Sequence, residues 1–187
     1  MDHRKIVKFL KIIGLIFICL SIIEIVFVIL LNFTEFDLNG TPVLLSEFIY
    51  GSSYITLTGT ILWLFNIFAI ILFLILGFFI FKTAKVNTIH DKSLAKLMIV
   101  MGMMILLGAF VKMFYFVILG KTPVSTGSGT VTFQTALYSP DITTLTPAIL
   151  WIFFMSVNTY SMIIGLIITV FGIKWTLQIE ALEVKKE

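Results

Sequence analysis

Glu24 and Lys112 are the side chains in this 187-residue chain whose chemistry stands out most from its surroundings, because each is ionisable and each lies within a long, otherwise mostly apolar run. An isolated charge in hydrocarbon is costly, so within a membrane span it marks either a partner or a pathway. Glu24 stands seven residues before Leu31 and Lys112 seven before Leu119, which sets both about 10 Å deep from the same end of their runs at 1.5 Å per residue of helix. Their signs are opposite. Like charges at that depth would repel strongly, whereas a carboxylate and an ammonium neutralise each other. An intramembrane ion pair between the first and third runs is therefore expected, and Ser21, Gly108 and Ala109, one turn away, are small enough for two backbones to approach.

Polar residues of comparable depth occur in the other two runs: Asn66 in the second, and Ser156, Asn158, Thr159, Tyr160 and Ser161 in the fourth. With the ion pair they define three alternatives. The pair fixes the register of the helices; or the set lines a hydrated cavity or ion path; or it contacts another subunit.

Other chemistry is poorly supplied. His3 and His90 are the only histidines and both flank the apolar runs, so no span offers an axial haem ligand or a histidine metal ligand. Met98, Met101 and Met104 form a thioether stripe, but no His or Cys accompanies it, and methionine fills irregular gaps between helices. The loop serines and threonines have no histidine base beside them, and no Gly-rich phosphate loop follows a strand. The single cysteine, Cys19, can close no intrachain disulfide. The expectation is no catalytic residue, no cofactor, no metal and no enzyme.

Composition says what must position these residues. A chain that is 59% hydrophobic and 12% charged departs from the roughly half apolar and quarter charged make-up of soluble domains. The apolar residues fall into four runs, about 9–31, 61–81, 94–119 and 149–172, each near or above the twenty residues that cross about 30 Å of hydrocarbon. In lipid such runs are helices, since every backbone polar group must be satisfied within the segment. The fold expected is an all-α membrane protein, a single domain of four transmembrane helices, with loops at 32–60 and 120–148 and a tail at 173–187 that continues the last helix.

The net charge of +3 does not point to nucleic acid, because the basic residues flank the runs. Arg4, Lys5, Lys8 and Lys11 precede or open the first; Lys82, Lys85, Lys92 and Lys96 bracket the turn between the second and third; Lys174, Lys185 and Lys186 follow the fourth. By the positive-inside rule both termini are cytoplasmic and both long loops lie outside. The basic N-terminus followed by a long apolar run without an A-x-A-like site reads as an uncleaved signal anchor. Trp63, Trp151 and Trp175, near run ends, are expected as interfacial anchors.

Sliding the sequence by 88 positions superposes Leu57, Thr58, Ile61, Leu62, Trp63 and Phe65 on Leu145, Thr146, Ile149, Leu150, Trp151 and Phe153, and also Gly14 on Gly102 and Gly77 on Gly165. That pattern implies duplication of a two-helix unit, the halves related by an axis along the membrane normal. The long loops are rich in Thr, Ser, Gly and aromatics, and Tyr54–Thr58 and Thr130–Thr135 can pair as short strands of a small cap. Asn32-Phe-Thr and Asn39-Gly-Thr match the glycosylation tripeptide, which recurs by chance.

No family resemblance is assigned: claudins, tetraspanins and connexins share the helix count but carry loop cysteines that this chain lacks. The function expected is a non-catalytic subunit or scaffold of the cell membrane, packing in the bilayer with itself or with other membrane subunits and binding no nucleic acid. The alternative is an oligomeric channel or small transporter that uses the Glu24/Lys112 polar cluster.

Overall fold

The computed structural model describes residues 3–38, 41–50, 57–84, 92–126, 129–138 and 145–184. In chain order the elements are α1 (His3–Leu30), β1 (Glu35–Leu38), β2 (Thr41–Leu44), α2 (Leu45–Tyr50), α3 (Leu57–Thr83), α4 (Lys92–Gly120), β3 (Pro123–Thr126), β4 (Gly129–Thr132), α5 (Phe133–Tyr138) and α6 (Leu145–Val184). Four of the helices, α1, α3, α4 and α6, are long and apolar enough to cross a membrane, consistent with an integral membrane protein. Each is longer than its apolar run. The 40-residue α6 carries the helix through the charged tail to Val184.

The strands form two separate antiparallel hairpins, β1 with β2 and β3 with β4. Glu35 pairs with Leu44 and Leu38 with Thr41; Pro123 pairs with Thr132 and Thr126 with Gly129. Strand placement agrees with the sequence expectation only in part. Thr130–Thr132 fall in β4, whereas Leu57 and Thr58 open α3, Phe133–Thr135 open α5, and Tyr54–Thr56 lie outside the described residues. β-Branched composition marked those segments, but an adjoining helix start overrode the propensity. The bounds of β1, β2 and α2, each raised by 88, are those of β3, β4 and α5.

The chain groups into two compact units. Unit 1 comprises Met1–Ser21, Ile71–Phe110 and Thr159–Glu187; unit 2 comprises Ile22–Ile70 and Val111–Asn158. The core of unit 1 is aliphatic and thioether-rich, with Phe17, Phe73, Ile80, Met98, Met101, Ile105 and Ile168 buried. Its helices approach closely at paired glycines: a Cβ on Gly14 would stand 2.7 Å from the backbone nitrogen of Phe81, and one on Gly102 2.6 Å from that of Thr169. The core of unit 2 is aromatic. Trp151 stacks edge-on against Phe116 at 5.4 Å and Phe133 at 5.8 Å, and Val43 and Leu45 bring the first hairpin module into the same cluster. The base of each hairpin is closed by a matching bond, from the Leu45 amide to the Thr34 carbonyl and from the Phe133 amide to the Thr122 carbonyl, both 2.8 Å.

Candidate functional site

Helical period decides which side chains face inward. On α1 the buried positions Leu10, Gly14, Phe17, Ser21 and Glu24, followed by half-buried Val28 and by buried Leu31 just beyond the helix end, alternate in steps of four and three. On α4, Met98, Gly102, Ile105, Ala109, Lys112, Phe116 and Leu119 do the same. This is the seven-residue seam of closely packed helices, and Glu24 and Lys112 both stand on it. Each charge is placed by the same repeat that places its apolar neighbours.

Within unit 2 the two charges meet. Lys112 Nζ donates to Glu24 Oε1 at 2.5 Å, with the lysine side chain 0% and the glutamate 1% exposed. Neither ion is solvated by bulk water, so each is neutralised by the other. A charge-assisted bond of this kind is short and strong, but the desolvation it must offset is of similar size.

Asn66 on α3 and Asn158 on α6 are also buried in unit 2, and both amide atoms of each lack a hydrogen-bond partner among the described residues. Ser156, half-buried, belongs to the same unit. The rest of the α6 polar stretch does not join them. Thr159 and Tyr160 are exposed and Ser161 is buried, all three in unit 1. The reason is angular: at 100° per residue Asn158 and Ser161 share the inward seam while the two residues between them turn outward.

Trp151 and Trp175 are buried in the unit 2 and unit 1 clusters respectively. The side chain of Trp63 lies outside the described residues. Sequence reasoning overlooked Tyr115, which is 1% exposed and rests edge-on against Phe116 at 5.5 Å; its position three residues after Lys112 on the seam was the available signal. It also overlooked an exposed clip in unit 1, where Lys92 at the start of α4 pairs with Glu180 at 3.1 Å and Glu183 at 3.3 Å. Two glutamates three apart on one helical tail were its signature.

In comparisons with family models, curated proteins and solved structures, nothing matches this chain. The site's chemistry therefore rests on its geometry. The described residues hold no group of three or more His, Cys, Asp or Glu suited to a metal ion. What the arrangement supplies is one neutral ion pair and two carboxamides, each with a donor and an acceptor to offer.

Proposed function

We propose that this chain is a non-catalytic integral membrane subunit of the cell membrane, with four spans and both termini in the cytoplasm. It packs laterally with copies of itself or with other membrane proteins and holds its two hairpin modules, β1–β2–α2 and β3–β4–α5, on the outer side as the surface it presents. The observation that carries this reading is the mutual neutralisation of Glu24 and Lys112 at 1% and 0% exposure. A carboxylate committed to a buried lysine is a poor ion carrier and a good register key.

The orientation is supported by the sequence positions of the basic residues, eleven of the thirteen of which lie at the N-terminal end of the first apolar run, around the turn between the second and third, or after the fourth. Descent from a duplicated two-helix unit is supported by the shared offset of 88, which relates the hairpin bounds, the closing bonds at Leu45 and Phe133, and the glycine contacts at Gly14 and Gly102. Glu24 and Lys112 are related by the same offset. A change of one charge after duplication turns a repulsive equivalent pair into an attractive one.

The test is native mass in mild detergent together with crosslinking in intact membranes. A chain that is monomeric in both, with no crosslinked neighbour, overturns the subunit reading. A conduit is the second reading, favoured by the unpaired carboxamides of Asn66 and Asn158. Ion or solute flux in proteoliposomes that scales with folded protein would establish it, and flux absent for every species tried would remove it.

A further inference from the structure

Asn158 stands in one layer with the buried charges. Phe154 on α6 touches α1 and α4 at once, its ring 6.3 Å from Phe27 and 5.3 Å from Phe116. α6 runs antiparallel to both helices: Phe171 meets Phe9 and Thr169 meets Gly102, whereas Phe154, earlier on α6, meets Phe27 and Phe116, later on α1 and α4. One turn onward from Phe154 is Asn158. One turn back from Phe27 is Glu24, and one turn back from Phe116 is Lys112. All three lie within unit 2 and none is more than 1% exposed. The layer next to the three rings is therefore a carboxylate, an ammonium and a carboxamide.

That carboxamide is the unexplained member. Its Nδ2 and Oδ1 are buried without a hydrogen-bond partner among the described residues, and the same holds for Asn66, whose neighbour Ile67 packs on the aromatic cluster. A carboxamide left dry in such a place loses its hydration with nothing in return. The seam contains one, although leucine or phenylalanine would fill an inward position in lipid at no such cost.

We propose that Asn158, with the Glu24–Lys112 pair, forms an internal binding site for a small neutral molecule that both donates and accepts hydrogen bonds, water being the smallest. Electrostatics select the class. The pair already sums to zero, so any added ion would leave a net charge in apolar surroundings. A neutral guest adds none, and Asn158 offers it one acceptor and the two N–H donors of its amide. Polar cavities hold water where two to four polar groups converge, whereas apolar ones stay dry. The site depends on neither the subunit nor the conduit reading.

Water is the probe. In the full-length chain in lipid nanodiscs, with asparagine labelled in its side chain, magnetisation transfer from water to the Asn158 carboxamide is followed by NMR, and Asn158→Gln assigns the signal. Transfer as fast as at exposed Asn32 is the expected result. Transfer as slow as at the backbone amide of buried Ile168 means a dry layer and overturns the proposal. Thermal melting gives an independent reading through Asn158→Leu: in a dry layer it removes an unsatisfied amide and raises the melting temperature, which counts against the site. In a hydrated one it strips the water of its partner beside two charges and lowers that temperature.

Discussion

A Cβ placed on Gly14 would lie 2.9 Å from the carbonyl oxygen of Gly77, and one placed on Gly102 would lie at the same 2.9 Å from the carbonyl of Gly165. In both cases backbone atoms obstruct and cannot step aside, and at Gly102 the Thr169 hydroxyl crowds the position as well. Gly14→Ala and Gly102→Ala should each cost about 1–3 kcal/mol by overpacking, despite alanine's better helix propensity. Gly108→Ala is the control. Its Cβ meets the Phe73 ring at 2.9 Å, a side chain that can tilt, and a propensity gain of up to about 1 kcal/mol opposes the crowding. Unfolding in detergent should rank the first two well below wild type and the third near it.

The buried ion pair predicts a non-additive cycle. Glu24→Leu or Lys112→Leu alone leaves one uncompensated charge and should cost about 3–5 kcal/mol, less where water reaches it or the side chain snorkels. The double Leu variant should be much milder than either single change. Thermal stability of the four proteins measures the coupling; single losses that simply add would show that the contact carries no energy.

Much of this was legible from residue types alone. Apolar run length marks the four long helices, because in lipid no other backbone arrangement satisfies its own hydrogen bonds. Glu24 and Lys112 could be matched by sign and depth, both of which survive in a one-dimensional reading. Composition placed the strands only in part: Thr130–Thr132 fall in β4, but Phe133–Thr135 open α5 and Leu57 and Thr58 open α3. A better signal was the pair Asn39-Gly40, two residues between β1 and β2 and the strongest short hairpin signal. Nor did depth alone sort the α6 polar residues; only the angle about the helix separates Asn158 from Thr159 and Tyr160.

The Lys92 clip makes a salt-dependent prediction. Its partners Glu180 and Glu183 lie on the last turns of α6, where backbone hydrogen bonds are held by few other contacts. Lys92→Gln should speed amide hydrogen exchange over residues 177–184 without altering it around Ile168. Raising ionic strength should produce the same local change in the unmodified chain, since exposed pairs are screened. Exchange unchanged by both treatments would mean that the tail is held by packing at Trp175 and Ile179 instead.

The proposed orientation makes the broadest prediction. Retention of Lys and Arg on the cytoplasmic side depends on short flanking segments, and the segment between α3 and α4 has Lys82, Lys85, Lys92 and Lys96 on or beside it. The sequence places Glu35, Asp37 and Glu47 in or near the first hairpin module and Lys121 and Asp141 near the second. Cysteines introduced singly at Asp37 and Thr126, in a chain whose Cys19 has been changed to Ala, should react with a membrane-impermeant thiol reagent in intact cells. A cysteine at Thr88 should react only after the membrane is opened. Because α3 and α4, which join the two hairpin modules, traverse in opposite senses in a four-span topology, the two hairpins must respond together, so labelling at one of them alone would break that topology, and labelling at position 88 in place of both would invert it.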